Sequence, residues 1–186
     1  EYVDGGSLDA LLAAGAPLPV ERALDIAIDV CRAIEAMYRR DIVHRDIKPS
    51  NILLTSAPTP GGPVAKLTDF GIAQVGHETR RTQETLAHPG TPAFMSPEQA
   101  TSTGYLDQRS DLYSLGLVLY EMLTGETYLR NQVSPRSRNL LVPASLDAVV
   151  MRALRNAPID RYQDAGEMLA DLLSVRDQRL LGQARI

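Results

Sequence analysis

The stretch VHRDIKPSNILL, residues 43–54, places several polar side chains in an otherwise apolar run. An aspartate held on a loop, here Asp46, can accept a hydrogen bond from an attacking hydroxyl group. Two positions later Lys48 can neutralise phosphate charge, and Asn51 offers the kind of oxygen atom that Mg²⁺ binds. These residue types at this spacing predict chemistry on a phosphate group that is bound together with a metal ion.

A second carboxylate follows in the segment AKLTDFG, where Asp69 comes eighteen residues after Asn51. We expect Asp69 at the end of a strand, where it could complete a metal site with Asn51. Taken singly, each residue has an ordinary explanation: Asp46 could cap a turn, Lys48 could be solvated, and Asp69 could begin a turn. The chemical interpretation therefore depends on finding these residues together.

Composition restricts the class of protein. The chain has 186 residues, 44% of them hydrophobic, which suits one domain with one core. The formal net charge of −4 does not indicate the long basic face of a nucleic-acid-binding protein. Cys31 is the only cysteine, which excludes an intrachain disulfide, and we expect it to be a core residue in a reducing compartment. No apolar run approaches the roughly 18 residues of a membrane span, so we predict no membrane contact from this segment.

Hydrophobic periodicity and capping residues predict a mainly α-helical fold with one small β-hairpin. The predicted helices cover residues 7–15, 20–40, 111–125, about 145–155 and about 164–178. The helix that ends at Gly125 is apolar on most faces, so we expect it in the centre of the core. NILLT and AKLTDF are predicted strands, joined by SAPTPGGP, and residues 71–110 are expected to be irregular.

Four motifs in this order, HRDIKPSN, DFG, GTPAFMSPE and DLYSLG, resemble the C-terminal lobe of the eukaryotic-type protein kinases. Lys48 after the aspartate and Thr91 ahead of SPE are similar to the serine/threonine branch, and FMSPEQA and RSDLYSLG to its bacterial members. The resemblance extends from Glu1 to about Leu173. It implies a truncated kinase-like fold, with the C-terminal lobe over residues 1–175 and a tail or the start of a linker over residues 176–186.

The resemblance implies a role for each matching residue near the opening motif. Asp46 would be the catalytic aspartate that orients the substrate hydroxyl and accepts its proton, and Lys48 would reach the transferring phosphate. Asn51 and Asp69 would bind the Mg²⁺ that bridges the phosphates of ATP. Leu53 would form the floor beneath the adenine.

Other residues resemble the hinge and the substrate-binding segment of the family. In EYVDGGSL, the backbone of Glu1 and Val3 would bind the adenine edge. Thr91 would bridge the catalytic aspartate and lysine. His44 and Asp111 would be structural, with the Asp111 carboxylate holding the backbone of the catalytic loop from the central helix.

Two further implications concern stability and regulation. Glu98 and Arg161 would form a buried ion pair that ties the substrate-binding segment to the late helices. Arg45, directly before the catalytic aspartate, would bind an activating phosphate. Thr85, six residues before Thr91, has the spacing that best matches an activating site of bacterial relatives, with Thr82 next, and the alternative for either is an ordinary solvated threonine.

The sequence also departs from the family pattern. The Gly-rich phosphate loop, the strand lysine and the helix glutamate of the family's N-terminal lobe have no counterpart in these residues, and Gly5-Gly6 follows the hinge. The docking helix expected after Gly125 would be deleted or much reduced. Phe94 stands where the family usually has tyrosine, and Tyr113 where it usually has tryptophan.

Three functional classes remain open from the sequence. The first is a cytoplasmic serine/threonine kinase that uses ATP and Mg²⁺ on protein substrates, with this chain as a fragment that is inactive by itself. Such a kinase would bind no nucleic acid. It could form a homodimer in which the two copies phosphorylate each other, and the whole protein could be anchored in a membrane. The second class is a catalytically inactive kinase-like binding or regulatory module. The third, a generic helical interaction domain, requires all four motifs to be accidental.

Overall fold

In the computed structural model, the described residues are 3–56, 64–69, 92–101 and 106–183. They form a mainly helical structure with a two-stranded antiparallel sheet, which confirms the predicted fold class. The helices are α1 (Leu8–Gly15), α2 (Val20–Tyr38), α3 (Pro97–Thr101), α4 (Gln108–Thr124), α5 (Tyr128–Asn131), α6 (Pro135–Arg138), α7 (Ala144–Ala153) and α8 (Ala165–Gln183). The strands are β1 (Ile52–Leu54) and β2 (Ala65–Leu67), and short 3₁₀ turns cover Pro49–Asn51, Pro92–Phe94 and Pro158–Asp160.

Helix α4 lies in the centre of the core. Every residue from Ser110 to Tyr120 is buried, which is why its sequence is apolar on nearly all faces. Helices α2, α7 and α8 pack against it. The helix ends at Gly125, whose φ of 72° is the left-handed conformation that glycine adopts without strain.

Some predicted boundaries were wrong. Residues 71–110 were expected to be irregular, but they include α3 and the first turn of α4, which Asp107 caps by accepting a hydrogen bond from the backbone of Arg109 at 2.8 Å. At the end of α1, Gly15 is the last helical residue and an extended Ala16 follows, so no left-handed glycine cap forms there.

The C-terminal helix is longer than predicted. Helix α8 continues without a break to Gln183, so the boundary predicted between residues 175 and 176 lies inside a helix. Arg179 on this helix forms an ion pair with Glu21 on α2. Within the described ranges, no helix combines the length and the apolar character needed to cross a membrane. Cys31, as expected, is buried, and its thiol lies 3.2 Å from the carbonyl oxygen of Ala165.

Two four-residue helices, α5 and α6, occupy the segment between α4 and α7 where a reduced docking helix was predicted. Glu126 joins them, since its carboxylate accepts a hydrogen bond from Asn131 at 2.8 Å and lies 3.5 Å from Arg138. Asn139 donates a hydrogen bond to the carbonyl oxygen of Leu123 at 2.8 Å. The segment is therefore fastened to the end of the central helix.

A buried ion pair links α3 to the turn before α8. The guanidinium group of Arg161 is fully buried and donates two hydrogen bonds of 2.7 Å to the two carboxylate oxygens of Glu98. It also donates to the carbonyl oxygens of Arg155 at 2.7 Å and Asn156 at 2.8 Å. The bidentate geometry and the extra acceptors satisfy a cation that would otherwise be costly to bury.

The surroundings of this ion pair keep the carboxylate ionised. Burial by itself would raise the pKa of Glu98, but the hydrogen bonds from Arg161 and from Ser110 outweigh burial and lower this pKa to about 2. The guanidinium also lies 4.7 Å from the ring centre of Tyr113, the residue that stands where the family usually has tryptophan. An aromatic ring at position 113 therefore packs against the buried guanidinium group of Arg161.

Removing the Arg161 side chain should strongly destabilise the fold. We expect Arg161→Ala to lower the free energy of unfolding by about 3–5 kcal/mol, because Glu98 would remain as a buried charge without its partner. Urea denaturation of the two proteins measures the difference. Arg138→Ala is the matched control, since its ion pair with Glu126 is exposed and should contribute less than about 1 kcal/mol. An unchanged unfolding midpoint in Arg161→Ala would contradict the assignment.

Candidate active site

The backbone of the loop after α2 is held by a carboxylate from the core. Asp111, on α4, accepts hydrogen bonds of 2.8 Å from the backbone N–H groups of His44 and Arg45, one on each oxygen. Burial raises the pKa of Asp111 to about 6 against the opposing effect of these two donors, so the group is still mainly ionised at pH 7. The central helix thereby fixes the loop in one position.

His44 connects this loop to the end of β2. Its ring is buried, Nδ1 accepts a hydrogen bond from the backbone N–H of Asp46 at 3.3 Å, and Nε2 lies 3.1 Å from the carbonyl oxygen of Thr68. One accepting and one donating nitrogen describe a neutral imidazole with its proton on Nε2. Burial lowers the pKa of His44, which favours the same neutral form.

The structure brings Asp46, Lys48 and Asn51 together. Oδ2 of Asp46 lies 2.8 Å from the ammonium nitrogen of Lys48 and accepts a hydrogen bond from the amide nitrogen of Asn51 at 2.9 Å. That same nitrogen donates to the carbonyl oxygen of Asp46 at 2.8 Å. The Asp46 side chain is 40% exposed, so its carboxylate is accessible from solvent.

Asp69 directly follows the hairpin, next to this group. The strand register pairs Ile52 with Leu67, and the N–H of Thr68 donates to the carbonyl oxygen of Asn51 at 2.9 Å. Asp69 is exposed and has a φ of 52°, a conformation that turns the chain at the strand end. Its carboxylate, like that of Asp46, lies near enough to His44 to act on the pKa of that ring.

The donor set fits a magnesium ion bound with a nucleotide. Because the Asn51 amide nitrogen is directed at Asp46, its oxygen Oδ1 is the atom that a cation would take, and Asp69 supplies a carboxylate. Among the described residues, no group of three or more His, Cys, Asp or Glu side chains could hold a metal ion. Mg²⁺ at Asn51 and Asp69 would therefore need phosphate oxygens and water as its other ligands, as it commonly does.

The segment that begins at Val3 lies against β1 because of two glycines. Gly5 donates to the carbonyl oxygen of Leu54 at 2.9 Å, and a Cβ at Gly5 would lie only 2.3 Å from that oxygen. Gly6 has a φ of 77°. Gly5 is thus required by the close approach of the backbone to Leu54, and Gly6 by a left-handed turn. Leu53 is half-buried at this contact, opposite Lys66 of β2.

Four predicted site residues lie outside the described residues: Glu1, Thr82, Thr85 and Thr91. Arg45, the predicted phosphate-binding arginine, is described and has a φ of 68°. Its Nε atom is buried and has no hydrogen-bond partner in the part of the chain that the structure describes.

Sequence reasoning missed Gln99, which connects α3 to the loop after α2 that carries Asp46. Its amide nitrogen donates to the carbonyl oxygen of Arg45 at 2.8 Å, and its oxygen accepts from the backbone and hydroxyl of Ser96, both at 3.0 Å. The spacing S-x-x-Q in SPEQ is that of a capping box, so a signal for the local contact was present. The contact with Arg45 spans 54 residues, and no local pattern indicates it.

Comparisons with known proteins identify the family of this chain. A family model described as protein kinase domain matches residues 1–180. Serine/threonine-protein kinase PknB of Mycobacterium leprae is 39% identical, over 94% of this chain and 29% of the relative. The probable serine/threonine-protein kinase CPE1738 of Clostridium perfringens is 38% identical, over 95% of this chain and 27% of the relative. The chain thus spans about three tenths of the length of these relatives.

The solved structures that resemble this chain are also those of a protein kinase domain. The PknI kinase domain of Mycobacterium tuberculosis, crystallised as two double mutants, matches with a TM-score of 0.72 and sequence identities of 27% and 29%. The match covers 94% of this chain and 63% of the PknI chain. With the family match over nearly the whole length, the chain belongs to the protein kinase domain family.

Proposed function

We propose that this chain supplies the catalytic lobe of a serine/threonine protein kinase, which transfers the γ-phosphate of ATP to hydroxyl groups of protein substrates. The observation that supports this most is the group formed by Asp46, Lys48 and Asn51, with both partners within 3 Å of one Asp46 oxygen. A buried carboxylate holds the loop that carries them. The names of the relatives add support for the serine/threonine class.

The side chains suggest how the reaction would proceed. Asp46 would accept a hydrogen bond from the substrate hydroxyl and then its proton, while the hydroxyl oxygen forms a bond to the γ-phosphorus. The bond between that phosphorus and the bridging oxygen breaks, and ADP leaves. Lys48 would turn its ammonium group towards the transferring phosphoryl group and offset its charge. Mg²⁺ held by Asn51 and Asp69 would neutralise charge on the phosphates.

Several parts of the proposal extend to the whole protein. We assign it protein substrates with Ser or Thr acceptors, and we place this lobe in the cytoplasm, where ATP is available. The activating phosphate would lie on Thr85, or on Thr82, and pair with Arg45. A guanidinium nitrogen that is buried and has no partner within the described residues is consistent with an anion at that position. Two copies of the kinase could phosphorylate each other on these threonines.

Phosphate transfer should require Asp46 and Asp69 and a complete nucleotide cleft. We expect no measurable transfer from the 186 residues alone, because no phosphate-covering loop or strand lysine is present among them. Fused behind the N-terminal lobe of a bacterial relative, the chain should transfer radiolabelled phosphate from Mg-ATP to a generic basic protein. Asp46→Asn should reduce the rate at least about 100-fold, to near the background, and Asp69→Asn should cause a loss of similar size.

Asp177→Asn, a change on an exposed face of α8, is the matched control and should leave the rate unchanged. A folded fusion protein that binds nucleotide but transfers nothing would favour the inactive regulatory module instead. Robust transfer by the bare chain, abolished by Asp46→Asn, would show that the missing cleft elements are not needed.

A further inference from the structure

The strand that leads to Asp69 is held at its beginning by a carboxylate from helix α2. Oδ2 of Asp29 accepts hydrogen bonds from the backbone N–H groups of Val64 at 2.7 Å and Ala65 at 3.3 Å. The Asp29 side chain is only 10% exposed. Helix α2 is part of the core, so it offers a rigid support for this contact.

At this end of the hairpin the N–H of Thr55 donates to the carbonyl oxygen of Val64 at 3.1 Å, while the N–H of Val64 is bound by Asp29. Both strands have only three residues. The sequence that connects them is long and contains three prolines and two glycines, so it is not one of the two-residue turns that fix the register of a hairpin. In β2 only Ala65 is buried, so the hydrophobic pattern of this strand specifies its pairing weakly. A slip of one residue would move Asp69 by about 3.4 Å and turn its side chain to the other face.

The far end of the same strand is tied to the catalytic loop. The N–H of Thr68 donates to the carbonyl oxygen of Asn51 at 2.9 Å, and the Thr68 carbonyl oxygen lies 3.1 Å from Nε2 of His44. Asp29 fixes the start and these contacts fix the end. A strand held at both ends places the Asp69 carboxylate at one distance from Asn51.

From these contacts we infer that Asp29 is a positioning residue for the metal-nucleotide site: it sets the register of β2 and thereby the place of Asp69. The inference rests on the proposed function, because the consequence for Mg²⁺ matters only in a kinase. The ion pair of Asp29 with Arg32 is separable from this role, since Arg32 lies 3.4 Å from the other oxygen, Oδ1, and is 52% exposed.

The first test measures metal dependence in the kinase that contains this chain. Asp29→Ala should raise the Mg²⁺ concentration for half-maximal rate about tenfold, the size of effect usual when a residue that orients a metal ligand is lost. Asp29→Asn keeps an oxygen that can accept both N–H groups and should restore this concentration to within about threefold of wild type. Arg32→Ala should leave it unchanged.

A control variant separates positioning from general loss of stability. Val149→Ala creates a cavity in the core at α7 and should destabilise the fold without touching β2. Its half-saturating Mg²⁺ concentration should equal that of wild type at a temperature where all variants are folded. The inference is overturned if Val149→Ala shows the same shift as Asp29→Ala, or if Asp29→Ala shows none.

The second test needs no catalysis and uses the 186-residue chain. In Asp29→Ala, amide hydrogen exchange at Val64 and Ala65, whose N–H groups Asp29 binds, should accelerate about tenfold or more, while the amides of α4 keep their wild-type rates. Unchanged exchange in the hairpin overturns the role of Asp29 even if the kinase is active. Faster exchange in a protein that transfers no phosphate would retain the register role and reject the proposed function.

Discussion

The geometry of the candidate site depends on a carboxylate buried in the core. Asp111 would be costly to bury in its ionised form, and the backbone N–H groups of His44 and Arg45 are the donors that satisfy it. The same bonds hold Arg45 at a φ of 68°, where a residue with a Cβ is strained. Any other path of the loop would leave the carboxylate without these donors, so the core and the loop that carries Asp46 specify each other.

The other supports of the site follow the same arrangement. Asp29 from α2 and Gln99 from α3 also reach backbone groups of a strand or loop. In each case a helix supplies the side chain, and a loop or the start of a strand supplies the backbone. Polar groups of the irregular segments are satisfied in this way without regular structure, which leaves the side chains of Asp46 and Asp69 available for chemistry.

Local sequence patterns predicted the elements that are determined locally. The apolar character of α4 on nearly all faces predicted its central position, and two short strand-like segments, NILLT and AKLTDF, on either side of a stretch rich in proline and glycine predicted the hairpin. The spacing of Asp46, Lys48 and Asn51 predicted that they act together, because a short loop cannot separate them far. A resemblance between motifs indicated the kinase lobe, which the family match confirms.

Long-range contacts could not be predicted in the same way. Asp29 has the ordinary appearance of a polar residue on an amphipathic helix, and its contact with β2 spans 35 residues. The first turn of α4 was missed because its residues Gln108 to Ser110 are polar, although Gln108 and Ser110 are buried in the structure by tertiary contacts. The roles of Thr85 and Thr91 stay predictions, since these residues lie outside the described ranges.

The central claim is that the buried carboxylate of Asp111 holds the loop in the form that transfers phosphate. The most direct measurement is the rate of phosphate transfer by the kinase with Asp111→Asn, at a temperature where circular dichroism shows it folded. The two backbone N–H groups bond to different oxygens of Asp111, so the single amide oxygen of Asn can accept only one of them, and its NH₂ group would face the other. The account therefore predicts a rate that is reduced about tenfold or more. A folded Asp111→Asn protein with the wild-type rate would contradict it.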